Sequence, residues 1–118
     1  MLWTSEIEIS KSALEHNLHF IKNRLGENVQ FSSVVKGNAY GHGIEIFVPL
    51  AEACGVNHFS VFSADEALRV KNCTQAQPTI LIMGLIDNDP LEWAIKNEIE
   101  FYVFELDRLE QARSEERG

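Results

Sequence analysis

The chain has 118 residues, 45% of them hydrophobic and 24% charged, with a formal net charge of −8. That is enough to bury a core, but a closed (β/α)8 barrel takes roughly 200 to 250 residues. The acidic balance and the lack of a basic face exclude a nucleic-acid binder, and no apolar run of about 18 residues is present to cross a membrane.

At the amino terminus, Trp3, Ser5, Ile7 and Ile9 alternate with Thr4, Glu6, Glu8 and Ser10. This period-two pattern predicts a half-exposed strand within residues 1–10, and because the later strands read differently it is assigned to a separate sheet. The same segment lacks the basic-then-apolar order of a signal peptide, which makes the cytoplasm the expected location. Ser12 with Glu15 reads as a capping box. Leu14, Leu18, Ile21 and Leu25 form one apolar stripe at helical period, and Gly26 supplies the stop. His16 and His19 share a helix face at i, i+3, but no third ligand accompanies them. They read as solvated, and no metal site is expected.

Val29–Lys36 reads as the next strand. Ile44, Phe47, Val48 and Ala51 then mark a helix closing near Cys54 and Gly55. Pro49 falls early in it, so the helix either kinks there or starts later than Ile44, with Pro49 in its first turn; the later start is the expectation. His58–Phe62, Thr79–Met83 and Phe101–Phe104 are short, nearly unbroken apolar runs of the kind buried on both faces of a parallel sheet. Tyr102 sits inside the last run and reads as core. Each run leads into a helix start: Ser63 with Glu66, Asp89 with Pro90 and Glu92, and Asp107 with Glu110. Asp65 and Glu66 read as ordinary first-turn acids. Cys54 and Cys73 have no metal-ligand spacing and are too few for a disulfide framework, so both read as packing residues. Strand, cap and helix recur as βαβ units with right-handed crossovers. That repeat alone fits a doubly wound open sheet and a partial barrel equally well.

Chemistry concentrates in Val34–Gly43, which reads Val-Val-Lys-Gly-Asn-Ala-Tyr-Gly-His-Gly. A buried strand ends at Lys36 and opens into a loop whose glycines allow positive φ and close backbone approach. Such a loop offers N–H groups, and a lysine beside it is placed to hold an aldehyde cofactor that carries a phosphate. The bland alternative is a solvated lysine at a strand end. Asn38 and His42 read as loop-shaping residues, while Gly41 and Gly43 serve the turn and the helix entry.

This stretch resembles the pyridoxal-phosphate lysine motif of bacterial alanine racemases, usually Lys-Ala-Asn-Ala-Tyr-Gly-His-Gly, with Gly37 where alanine is common. Trp3–Ser10 followed by a helix resembles the family's opening, and Ser63–Leu68 resembles its Asp-Glu-Ala segment. The similarity runs from Trp3 to about Gln111, and it covers only about the first third of such an enzyme.

The resemblance implies an α/β fold of parallel βα repeats, the amino-terminal part of a TIM (β/α)8 barrel. Residues 11–118 would form that partial pyridoxal-phosphate-binding domain, and residues 1–10 one strand of a separate carboxyl-terminal β-domain. It implies that Lys36 is catalytic and carries the cofactor covalently, and that Tyr40 helps hold the phosphate. The implied substrate is a small amino acid, alanine, interconverted between its L and D forms to supply peptidoglycan precursors. Two bases on opposite faces of the substrate exchange the α-proton. Lys36 would serve one face, and a tyrosine of the partner subunit in a homodimer the other; no residue of these 118 matches that second role.

The resemblance therefore implies a fragment that is inactive alone. A cut barrel exposes unpaired edges and apolar faces, so either an oligomer covers them or the natural chain is longer. Two alternatives stand beside this reading. One is a catalytically silent cofactor-binding or assembly module; the other is a racemase for another amino acid, such as serine.

Overall fold

The computed structural model describes residues 4–117. Their elements run α1 (Lys11–Leu25), β1 (Ser33–Val34), the five-residue turn α2 (Lys36–Tyr40), α3 (Ile44–Ala53), β2 (His58–Val61), α4 (Ala64–Cys73), β3 (Thr79–Ile82), α5 (Asn88–Lys96), β4 (Glu100–Phe101) and α6 (Leu106–Arg117). The four strands form one parallel sheet in sequential order, β1-β2-β3-β4. Sequential parallel order follows from short right-handed crossovers.

Register divides the sheet into two faces. Phe59, Val61, Ile80 and Ile82 point one way and are buried with Val48 and Ala51 of α3, Ala67 and Val70 of α4, and Leu91 and Ala94 of α5. Val34, Ser60, Leu81 and Glu100 lie in register on the opposite face, where Val34, Phe62 and Tyr102 are exposed. Helices thus cover one face only. A doubly wound sheet is covered on both, so the one-sided cover identifies an arc of a (β/α)8 barrel.

On the uncovered face, Ser60 is the buried polar residue of the sheet. Its hydroxyl pairs with Ser32 Oγ at 2.6 Å, Ser32 Oγ with His58 Nδ1 at 2.7 Å, and His58 Nε2 with Glu100 Oε1 at 3.1 Å. This chain ties the segment before β1 to β4 across the two intervening strands and satisfies each buried polar atom.

Several boundaries differ from those the sequence predicts. Thr4–Ser10 make no strand ladder, and Ile7 lies exposed. The alternation is present, but no described strand runs beside it to accept its backbone bonds; Trp3 lies outside the described residues. Helix α1 starts one turn-half earlier than its expected cap, because Ser10 Oγ, not Ser12, accepts the Ala13 N–H at 3.2 Å. His16 and His19 are exposed. Helix α3 begins at Ile44 and carries Pro49 in its interior. The first-turn donors are already satisfied, since Asn38 Oδ1 accepts the Ile44 N–H at 3.0 Å and the Gly43 carbonyl accepts from Ile46 and Phe47. Full burial of Ile44, Val48 and Ala51 outweighs the single bond that Pro49 removes. Helix α5 starts directly after Asp87, whose side chain makes no cap bond, and not after Asp89. Pro90 still falls in the first turn, where its missing N–H has no partner to lose.

Strand β4 stops at Phe101, so Tyr102 is half-exposed and not core. Its ring meets that of Phe104 edge-on at 6.2 Å. Among the described residues no strand pairs with the outer side of β4, so nothing covers these rings.

Gly84 follows β3 and donates its N–H to the Phe62 carbonyl at 3.0 Å. A Cβ there would sit 2.5 Å from that same backbone oxygen. Gly84→Ala must therefore push β3 and β2 apart at their carboxyl ends, and we expect a loss of about 1–3 kcal/mol. Urea denaturation checks it; a change below about 0.5 kcal/mol would show that the strand ends adjust freely.

Candidate active site

In a barrel of parallel strands, functional groups gather at the strands' carboxyl ends. Here β1 runs into Val35, whose N–H bonds the Ser60 carbonyl at 2.9 Å, and Lys36 follows at once. Residues 37–40 then wind left-handed: Gly37 (φ 61, ψ 40), Asn38 (φ 57, ψ 46), Ala39 (φ 56, ψ 44) and Tyr40 (φ 55). For L-residues this conformation costs about 1–2 kcal/mol each, so neighbouring groups must hold it.

They do so from three sides. Inside the turn, Ala39 N–H donates to the Val35 carbonyl at 2.8 Å, Gly41 N–H to that of Gly37 at 3.1 Å, and Gly43 N–H to that of Asn38 at 2.9 Å. From α4, Arg69 Nη2 donates to Asn38 Oδ1 at 2.7 Å while its Nε and Nη2 grip both oxygens of Glu45 at 2.9 and 2.8 Å. From the start of α4, Glu66 Oε2 accepts the Gly37 N–H at 2.7 Å. Gly43 then takes φ 93 and ψ 114, a region closed to residues with a Cβ, and the chain enters α3.

One left-handed turn brings Lys36 and Tyr40 to the same open hollow of about 490 Å³, lined also by Gly37, Phe62, Ser63 and Glu66. Lys36 and Tyr40 are both exposed. Among the described residues no hydrogen bond or ion pair engages the Lys36 ammonium, and no other lysine lines the hollow. Asn38 is exposed, and its side-chain oxygen shapes the loop by accepting the Ile44 N–H. Gly84 and Phe104, which follow β3 and β4, stand outside this hollow. Among the described residues no three His, Cys, Asp or Glu side chains converge on a metal position.

The loop differs from its sequence reading in one chemical respect. The loop is expected to offer N–H groups to a phosphate; those of Gly37, Ala39, Gly41, His42 and Gly43 are engaged within the protein, which leaves Asn38 as a loop position whose N–H group could serve.

Glu66 is the residue that sequence reasoning undervalued. Its capping half is legible, since Ser63 Oγ accepts the Glu66 N–H at 3.3 Å. A capping box would return the carboxylate to Ser63; here Oε1 instead accepts the Phe62 N–H at 2.8 Å and Oε2 reaches Gly37. No pattern in the sequence announces that second contact, which spans 29 positions.

The Arg69 hydrogen bonds hold the Glu45 carboxyl below the usual carboxylate range. A carboxyl with a depressed folded-state pKa stabilises the fold above its unfolded pKa, and that support fades as pH falls through the folded value. Amide protection at Asn38–Ile44, taken relative to the intrinsic exchange rate at each pH, is therefore expected to fall on acidification below the carboxylate range. Glu45→Gln removes that pH step. Both side chains are exposed, so added salt should blunt the effect; a step that persists in Glu45→Gln overturns the assignment.

One-sided helices on sequential parallel strands, with a lysine at the carboxyl end of β1, define the amino-terminal arc of a lysine-bearing (β/α)8 barrel. Residues 9–118 match the family model for the alanine racemase N-terminal domain, and the chain belongs to that family. It is 38% identical over 105 residues to an alanine racemase of Listeria monocytogenes serotype 4b (strain F2365), an alignment covering 89% of this chain and 28% of that protein. The solved alanine racemase of Oenococcus oeni superposes with a TM-score of 0.80 at 34% identity, covering 91% of this chain and 30% of that one. A histidine racemase from Leuconostoc mesenteroides subsp. sake superposes with a TM-score of 0.79 at 26% identity, over 92% of this chain and 28% of that one. The chain thus spans less than a third of the length of these relatives.

Proposed function

We propose that this chain is the cofactor-bearing part of a pyridoxal-phosphate-dependent amino-acid racemase acting on alanine. The observation that carries the reading is the convergence of Lys36 and Tyr40 on one hollow, inside a domain of the alanine racemase family. The donor set fits the cofactor at both ends: an unengaged primary amine for its aldehyde and a phenolic hydroxyl for its phosphate. When bound, pyridoxal phosphate supplies an electron sink that makes an amino acid's α-proton acidic.

Lys36 Nζ is the anchoring atom and the base for one face of the substrate, a role that requires its unprotonated form. Tyr40 orients the phosphate. The base for the opposite face is assigned to a tyrosine of a partner subunit in a homodimer, and the chain alone to an inactive state. Residues 11–118 form the barrel part, and residues 1–10 supply a strand to a β-domain sheet formed by the rest of a longer protein. The exposed Val34, Phe62, Tyr102 and Phe104 are then covered by the remaining barrel. The product D-alanine would serve peptidoglycan precursors in the cytoplasm. No helix among the described residues is long and apolar enough to cross a membrane.

The structural likeness to a histidine racemase favours one further reading, a racemase for a different amino acid. Racemisation assays on the longer protein with alanine, serine and histidine distinguish the two.

The anchoring claim is tested by borohydride reduction after incubation with pyridoxal phosphate, followed by peptide mapping. An adduct confined to Lys36 is expected. Labelling scattered over Lys11, Lys22, Lys71 and Lys96 as well overturns the assignment and favours a silent assembly module.

A further inference from the structure

We propose that Glu66 is the positioning residue of this site: its carboxylate locks the Lys36 loop to the end of β2 and so fixes the direction of the lysine amine. The inference rests on the cofactor reading above and deepens it. It starts from a geometry that no first-turn acid requires. Glu66 Oε2 accepts the Gly37 N–H at 2.7 Å and Oε1 accepts the Phe62 N–H at 2.8 Å. One carboxylate thus joins the backbone immediately after Lys36 to the backbone at the carboxyl end of β2.

Both N–H groups lie where the sheet has run out. Strand β1 ends at Val34 and β2 at Val61, so the ladder that pairs them provides no acceptor for Gly37 or Phe62. A carboxylate has two acceptor oxygens and full negative charge, and bonds of this type are short and strong. Helix α4 is anchored independently, by Ser63 capping its first turn and by burial of Ala67 and Val70. Its first turn is therefore a fixed post from which Glu66 restrains the loop.

The restraint acts on the residue next to Lys36, at the first of four consecutive left-handed positions. Without it, the Gly37 peptide is held from one side only and glycine has many conformations to enter. The Lys36 side chain would then lose its fixed relation to Tyr40 and Phe62 across the hollow. Neutral glutamine keeps the shape but presents one carbonyl oxygen and one amide donor, so only one of the two N–H groups retains an acceptor. Asp65, exposed beside it in the same helix turn, carries the same charge without touching the loop. Asp65→Asn is thus the control for a helix-dipole or net-charge effect.

The test compares the wild-type protein with Glu66→Gln, Glu66→Ala and Asp65→Asn. Three quantities are read: amide exchange at Gly37 and Phe62, borohydride-trapped adduct at Lys36, and induced circular dichroism of bound pyridoxal phosphate per mole of adduct. In Glu66→Gln, amide exchange at Gly37 or Phe62 is expected to quicken about tenfold, the order set by one charge-assisted bond. The induced dichroism should fall by more than the adduct yield, because a loosened lysine still reacts but no longer holds one orientation. Glu66→Ala should exceed Glu66→Gln, and Asp65→Asn should match wild type. A merely structural role would lower adduct and dichroism together, with the dichroism per adduct unchanged; that result overturns the proposal. So does an equal effect in Asp65→Asn. Absence of a Lys36 adduct in the wild type overturns the cofactor reading instead, and the lock is then judged on exchange alone: unchanged exchange in Glu66→Gln sinks it. Far-ultraviolet dichroism and the urea midpoint of each variant separate local loosening from unfolding.

Discussion

Lys36→Ala is expected to eliminate the borohydride-stable pyridoxal-phosphate adduct while leaving the fold intact. The lysine is exposed, and no hydrogen bond or ion pair among the described residues depends on its ammonium. The backbone around it is held by groups other than its side chain: the Val35 carbonyl, the Asn38 amide and the Glu66 carboxylate. Stability should therefore change by no more than about 0.5 kcal/mol. Lys36→Arg makes the sharper comparison, since it keeps a cation of similar length but removes the amine that reacts with an aldehyde. Both variants should fall to the labelling level of the other lysines. If Lys36→Arg still yields a stoichiometric adduct at a single other lysine, the hollow is not the cofactor site.

Phe59→Ala is expected to be the most destabilising single substitution among the strand residues. Phe59 is fully buried at the centre of the covered face, in register with Ser33 on one side and Ile80 on the other. Removing a buried phenyl ring leaves a cavity that close-packed neighbours fill only in part, and the loss is about 3–5 kcal/mol. Small domains hold about 5–15 kcal/mol in total, so the variant should sit near the edge of folding. The functional consequence travels along β2, because Phe62, Ser63 and Glu66 lie just beyond its end. A urea midpoint lowered at constant m-value is the expected signature. A loss under about 1 kcal/mol, well below the range for such truncations, would mean that the helices close over the gap and that the core is less tightly packed than its burial implies.

Parts of this architecture were legible residue by residue. The apolar runs His58–Phe62 and Thr79–Met83 announced the buried parallel strands found at His58–Val61 and Thr79–Ile82, and Ser63 announced the start of α4. Gly26 ended α1 where the apolar stripe ended. These signals are local: burial on both faces removes the alternation from a strand, and a hydroxyl cap satisfies N–H groups three residues away. The starts of α1 and α5 lie two residues before the caps that the sequence suggests, with Ser10 rather than Ser12 capping α1 and α5 starting after Asp87. A helix start depends on where the incoming chain lies, which neighbouring elements set. Asn88, for example, is hydrogen-bonded by Arg108 of α6. Pro49 misled for the same reason. Its local penalty was read correctly, but burial of Ile44 and Val48 against the sheet outweighed it.

By itself, then, the sequence determined the order of strands and helices from α1 onward, the one lysine followed by a glycine-rich loop, and the family whose motif that loop carries. Tertiary structure decided that the helices lie on one face, that Asn38, Ala39 and Tyr40 wind left-handed as well as the glycine before them, and that Glu66 reaches Gly37. The reason is physical. Periodicity and capping report interactions within a few residues, whereas a strained turn persists only when distant groups supply its missing acceptors. Here those groups are Arg69 and Glu66, both presented by α4, a helix held beside Lys36 by the pairing of β2 with β1.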